Sequence, residues 1–166
     1  MSTLSGLPAH PLLVHFIVVL APLTAVLAIL CAVWPAARQR LVWLVLALAG
    51  ITAVLSPITS EAGEWLYERV EDSAALDTHE HLGETMNYFA LALLVAAILV
   101  VVLHVRTRRG KTLPTALSGI IAIVVVVASV ATAAQVYRIG HSGAEATWGD
   151  ALSDASAGAA ENEGGE

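Results

Sequence analysis

Long apolar runs separated by short polar interruptions organise this chain. Residues 12–34, 41–60, 85–105 and 114–137 are apolar almost without a break, and each run reaches the about 20 residues that a helix needs to cross a hydrocarbon core. The pattern predicts four transmembrane helices and an all-α fold: an integral membrane four-helix bundle. Proline favours the first turn of a helix, so Pro11 predicts the start of the first, with His10 just outside it and His15 about one turn inside. Five helical residues would turn the two imidazoles to different faces, but a residue ahead of the helix is not bound by its period. Both are therefore expected to reach one site. Trp34-Pro35 closes the first run, and the short turn to residue 41 makes the first two helices antiparallel neighbours. Pro22 and Ser56-Pro57 mark places where a helix can bend. Ala49, Gly50 and Ala53 are small enough to let helices approach closely in lipid.

Beyond Ser60 the polarity changes while the helical period persists. Glu61, Glu64, Glu68 and Glu71 recur at intervals of three, four and three, which is one helix face. The second helix is thus expected to project past the bilayer and end near Asp72-Ser73, with Trp65 and Tyr67 in the outer aromatic belt. Asp77 or Thr78 is the expected N-cap of the third helix. That helix opens with His79-Glu80-His81-Leu82-Gly83-Glu84, which sets His81 and Glu84 on one face and His79 on another. His104, at its far end, is expected at the membrane interface. The fourth run ends in Gln135–Gly143, with Trp148 against the headgroups. From Asp150 the chain is Ala, Gly, Ser and acid with no base, which divides it into a membrane domain, 1–149, and a disordered acidic tail, 150–166. The likeness of the two helical hairpins reads as shared hydropathy rather than as an internal repeat.

Composition agrees with the pattern. The chain is 57% hydrophobic and only 13% charged, with a mean hydropathy of +0.76, which is a membrane composition and leaves no room for a separate soluble domain. The first run lacks a basic flank and a cleavage site followed by a hydrophilic mature domain, so it reads as a retained span. Cys31 is the single cysteine and reads as packing. Net charge is −6, but its distribution carries more information. Arg38 and Arg40 lie between the first two runs, and Arg106, Arg108, Arg109 and Lys111 between the last two. The positive-inside rule makes that side cytoplasmic and puts the N- and C-termini, with the middle loop, on the extracytoplasmic side. Arg69 and Arg138 are the exceptions and fall near the outer surface.

This topology gathers His10, His15, His79, His81 and His141 at one end of the bundle with Glu61, Glu64 and Glu84. Imidazole and carboxylate together suit transition metals such as Zn, Cu or Fe, and bundle sites are built from side chains that project inward from different helices. The expected site is formed mainly by His10, His15, Glu64 and His79, with Glu61, His81, Glu84 and His141 as further candidates. No HExxH, CxxC or CxxCH spacing accompanies it. The redox version is a single haem b, with His15 and His79 as axial ligands and Arg69 or Arg138 near the propionates. The nearby carboxylates suit a bare cation better than a dianionic haem.

No Asp, Glu, Lys, Arg or His lies within the spans between this cluster and His104, which disfavours a pump or channel, and a lone inner histidine disfavours two stacked haems. Ser142 beside His141 lacks an orienting acid, so hydrolytic catalysis has little support. Nothing in the chain looks like a phosphate loop or a nucleic-acid surface. The competing reading is a cofactor-free structural or accessory subunit of a larger membrane complex, its histidines hydrogen-bonding headgroups, water and loop carbonyls. The expected partners are the lipid bilayer and a larger membrane redox complex, and the pattern also allows a homo-oligomer.

His10-Pro11-x-x-x-His15-Phe16, Gly63-Glu64-Trp65, His79-x-x-Leu82-Gly83-Glu84 and Gly140-x-Ser142-Gly143 with Trp148 resemble the bacterial membrane-protein family catalogued as domain of unknown function 2231, over roughly residues 7–149. Ile17 departs from it, standing where a proline is frequent, and His81 and His141 are less characteristic of it than His10, His15 and His79. The resemblance implies a multi-pass protein of the bacterial cell membrane with four spans and no established activity. Members fused to Rieske or cytochrome domains imply, by analogy, a role accessory to membrane electron transfer or metal handling.

Overall fold

The computed structural model describes residues 3–4, 7–70, 73–111 and 113–163, with side-chain environments between 8 and 149. A two-residue antiparallel ladder, β1 Thr3–Leu4 with β2 Leu7–Pro8, leads into four helices: α1 Ala9–Val33, α2 Pro35–Tyr67, α3 Ala74–Arg108 and α4 Thr115–Glu163. All four are long and apolar enough to cross a membrane.

The helix ends follow local chemistry and differ in places from expectation. α1 starts at Ala9, so His10 lies inside the helix, and Pro11 sits in the first turn, where its missing N–H is not needed. Helical geometry then turns His10 and His15 about 140° apart, onto different faces. Trp34 alone separates α1 from α2, in an extended conformation, and Pro35 opens α2. Pro22 and Pro57 lie within continuous helices. α2 stops at Tyr67 rather than near residue 72, because the Arg69 and Val70 amides bond to the Leu66 and Tyr67 carbonyls, at 3.0 and 3.3 Å, and so tighten the last turn. Of the four-glutamate face only Glu61 and Glu64 remain on the helix; Glu68 caps it, and Glu71 lies outside the described residues. Ser73, not Asp77 or Thr78, caps α3 by accepting from the Leu76 amide at 3.2 Å. Gly110, at φ 67°, supplies the left-handed residue after α3. α4 remains helical to Glu163, past the point where composition suggested a disordered tail. Alanine, the strongest helix former, occupies 151, 155, 157, 159 and 160.

Each helix packs on its two ring neighbours, in the order α1–α2–α3–α4, with α1 and α3 meeting weakly across the diagonal. The main core is built from small and β-branched residues, among them Ala28, Cys31, Val45, Ala49, Ala97, Val100 and Val125. Between helices surrounded by lipid such residues permit close backbone approach, whereas large side chains such as Leu91, Val54, Ile123 and Val127 face outward. At the end opposite the histidine cluster, His104 is buried beside Trp43, with ring centroids 6.4 Å apart.

Burial reveals an internal repeat that hydropathy conceals. One constant shift in numbering relates the buried residues of α1 to those of α3: Ile17 to Met86, Ala21 to Ala90, Thr24 to Leu93, Ala28 to Ala97 and Cys31 to Val100. A second, larger shift relates α2 to α4: Val45 to Val125, Ala49 to Ser129, Thr52 to Thr132, Ser56 to Val136 and Ala62 to Ser142. Thr52 and Thr132 each return their hydroxyl to the carbonyl four residues back at 2.8 Å. The two hairpins are therefore repeats about an approximate two-fold axis along the bundle. Since the two shifts differ, no single lag aligns both helices at once.

Overpacking a close contact costs about 1–3 kcal/mol. Ala49→Leu, at a position with no exposed surface, is expected to lower the melting temperature in mild detergent, and Val54→Leu on the outward face to leave it unchanged. Equal melting of both variants with wild type would contradict the packing described.

Candidate metal centre

Two histidines approach one another edge-on at the mouth of the bundle, each held by the helix that follows its own. His10 on α1 is half-buried and donates from Nδ1 to the Thr59 carbonyl of α2 at 2.9 Å. His79 on α3 is half-buried and donates from Nδ1 to the Ile139 carbonyl of α4 at 3.1 Å. A carbonyl can only accept, so both rings carry a proton on Nδ1, and the neutral form of each has its lone pair at Nε2. No described residue bonds to either Nε2, and neither atom is sealed from a cavity or solvent. The ring centroids lie 6.3 Å apart with the planes at 82°.

Two glycines make the arrangement possible. A Cβ on Gly63 would stand 2.9 Å from His10 Cε1, and one on Gly143 would stand 2.9 Å from His79 Cε1. Thr59 and Ile139 each precede their glycine by four residues, so each imidazole lies along one helical turn with its ring where a side chain would otherwise be. His10, Thr59 and Gly63 thus repeat as His79, Ile139 and Gly143 in the second hairpin. Ser142 adds a second partner for His79, its Oγ 3.1 Å from Nδ1, while its own hydroxyl donates to the Ile139 carbonyl at 3.0 Å.

Both imidazoles border a cavity of about 760 Å³ whose wall also includes Val14, Val18, Leu66, Leu76, Gly83 and Trp148. Beneath it a pocket of about 50 Å³ continues inward between His10, His79, Ser56 and Met86. A layer of interhelical hydrogen bonds lies at this level. Ser56 donates to Asn87 Oδ1 at 2.8 Å, and Gln135 Nε2 donates to the Leu82 carbonyl at 3.1 Å and to Thr85 Oγ1 at 2.7 Å. At the rim, Tyr67 donates to Asp77 at 2.7 Å and ties the end of α2 to the start of α3.

The model of the family described as "Predicted membrane protein (DUF2231)" matches residues 6–156, a stretch that holds both histidines and both glycines. The chain belongs to the DUF2231 family. No curated protein and no solved structure matches it.

In this DUF2231 protein the residues nominated by the sequence divide into three groups. His10 and His79 come together. Glu64, Glu84 and His15 border the same cavity but are exposed, and the His15 ring is turned back on the Pro11 carbonyl of its own helix. Glu61, His81, His141, Arg69 and Arg138 border neither cavity. Among these, His81 is exposed, and His141 stacks on Tyr137, with centroids 6.1 Å apart, and lies 3.5 Å from Glu145. Arg69 lies over Trp65, 4.1 Å from the ring centroid, and bonds to the Trp65 carbonyl and Glu68. The expected four-ligand set is not assembled: among the described residues no three His, Cys, Asp or Glu side chains stand close enough to hold one ion. His10 takes the position opposite His79 that the haem reading gave to His15.

Sequence reading missed Gly63 and Gly143 as seats, Thr59 and Ile139 as anchors, and Ser142 as a partner of His79 rather than of His141. The available signal was glycine inside helical sequence, which is costly unless something must come close. Glu80 was also passed over. It borders the cavity, and burial, followed by the charges of Glu84, Glu64 and Asp77, pushes its carboxyl above the ordinary range.

His79 precedes the apolar run of α3. Its pKa is lowered from the ordinary imidazole value of 6.5, first by burial and then by His10, against the opposing hydrogen bond to Ile139. Below 6.5 the unfolded chain therefore binds this proton more readily than the folded one, and the contribution of His79 to stability, fully present above 6.5, erodes as pH falls. Nitrogen NMR of histidine-labelled, metal-free protein is expected to show the neutral forms of His10 and His79 as the Nδ1–H tautomer, with His79 less protonated at 6.5 than a free imidazole. An Nε2–H tautomer at both rings would contradict the anchoring.

Proposed function

We propose that this DUF2231 protein serves a membrane redox or metal-handling system, and that His10 and His79 together ligate a transition metal on the extracytoplasmic side of the bilayer. The observation that carries the reading is the matched pair of imidazoles, each fixed through Nδ1 by a backbone carbonyl and each with Nε2 free. Metal-ligating histidines are oriented in this way: the second ring nitrogen donates to a carbonyl or carboxylate, which fixes the tautomer and raises the basicity of the ligating one. A pair of histidines built only for interfacial hydrogen bonding would have no need of two glycine seats. Imidazole ligation suits zinc, copper and iron.

Two further features support the assignment. Arg38, Arg40, Arg106, Arg108, Arg109 and Lys111 lie at or near the α1–α2 and α3–α4 connections, the end remote from the histidines, which favours an outward-facing site. An accessory role fits better than catalysis, since Ser142, the hydroxyl bonded to His79, meets the proton-bearing nitrogen of that ring and so has no base.

Metal content of protein purified in mild detergent tests the reading. Wild type is expected to retain a transition metal in stoichiometric amount, and His10→Ala and His79→Ala each to lower retention about tenfold or more. Metal-free wild type after incubation with zinc, copper and iron salts and with hemin, or unchanged retention in folded variants, would refute it. For sidedness, Thr78→Cys in a Cys31→Ser background is expected to react with an impermeant thiol reagent on intact cells, and Lys111→Cys only after permeabilisation. The reverse pattern would move the site to the cytoplasmic face.

A further inference from the structure

We propose that the metal held by His10 and His79 is the iron of one b-type haem, ligated by an imidazole on each face and centred on the axis that relates the two hairpins. This rests on the metal-ligating reading of the pair and adds the identity of the bound group.

The spacing of the rings favours one geometry. With a metal–nitrogen bond of about 2.0 Å and a ring radius of about 1.1 Å, two imidazoles opposite one another on a metal hold their centroids about 6.2 Å apart, whereas two at a tetrahedral angle hold them about 5.1 Å apart. The observed separation is 6.3 Å, which accommodates opposed ligands once each Nε2 turns toward the other ring and is wider than the tetrahedral value. A tetrahedral ion would also need further protein ligands, and no third His, Cys, Asp or Glu joins the pair among the described residues. A porphyrin supplies four nitrogens of its own and asks the protein for two opposed axial ligands only.

The repeat is consistent with this. His10 and His79 occupy equivalent places in equivalent helices, anchored by equivalent carbonyls and seated on equivalent glycines. Equivalent ligands across an approximate two-fold axis are equidistant from a metal placed on it, as the two axial ligands of a haem iron are.

The surroundings suit a planar apolar group. The shared cavity of about 760 Å³ is of the size of a cofactor site and is walled on its inner side by Val14, Val18, Gly83 and Ile139. Its mouth opens toward Glu64, Glu80 and Glu84. These carboxylates oppose the haem propionates, and Arg69 and Arg138 do not border the cavity to offset them, so the propionates have to extend past the mouth into water. The haem is then retained by its two axial bonds and by apolar contact.

The test is an absorption spectrum, a pyridine haemochrome assay and ferric electron paramagnetic resonance on wild type expressed with adequate haem supply. The expected result is one haem b per chain and a low-spin signal of the strongly anisotropic type given by perpendicular axial planes, matching the 82° between the rings. His10→Ala or His79→Ala is expected to convert the spectrum to five-coordinate high spin, and the double variant to lose the Soret band. Should these variants fail to fold, Gly63→Ala and Gly143→Ala, which push the rings off their seats, are expected to shift the low-spin signal or reduce haem occupancy. Wild type that carries stoichiometric zinc or copper and no Soret band would overturn the haem while leaving the metal site standing. Wild type that takes up neither haem nor metal would overturn both. A Soret band unchanged in the folded double variant would overturn the axial assignment.

Discussion

Hydrocarbon offers no partner to a peptide group, and the rest of this structure depends on that constraint. Every backbone N–H and C=O within the spans has to be satisfied by its own helix, so the apolar runs fold as helices before any question of packing arises. Lipid gives two such helices no hydrophobic reason to associate, and association then depends on how closely their backbones approach. The buried positions answer this with Ala21, Ala28, Ala49, Ala90, Ala96 and Ala97, and with threonine and serine hydroxyls, such as those of Thr24, Thr52 and Thr59, that return to their own helix.

The same close approach produces the candidate site. An imidazole cannot lie along a neighbouring helix unless the turn beneath it lacks a side chain, and Gly63 and Gly143 provide that turn twice. Each ring then finds a carbonyl within reach of Nδ1, and its remaining nitrogen is left free at the mouth of the bundle. The site is thus a direct consequence of helix packing, and its two halves match because the two hairpins pack alike. A single hairpin supplies one ligand; bringing the hairpins together supplies the pair.

Much of the architecture was legible in the residues. Four runs of sufficient length, Trp34-Pro35 as a turn and the basic residues beside two connections predicted the spans, their number and their antiparallel order. The motif residues predicted the family. Helix ends were less legible: Ser73 outcompeted Asp77 and Thr78 as a cap, and α2 tightened after Tyr67 although its glutamate spacing continued. In the site, His10 and His79 were visible as candidates, but their pairing was not. Treating His10 as lying ahead of α1 freed it from the helical period and allowed His15 to stand beside it. Once α1 begins at Ala9, the two belong to different faces.

What the sequence determined by itself is what depends on local free energies: which segments leave water, where prolines and tryptophans end them, and which end of the bundle collects the histidines. The partnership of His10 with His79, the seating of each on a glycine more than fifty residues away, and the repeat of one hairpin in the other were decided only by tertiary structure. Apolar side chains of similar size exchange freely in lipid, so hydropathy retains little trace of register. Register becomes visible only when packing shows which small residue faces which helix, and it then fixes which two imidazoles meet.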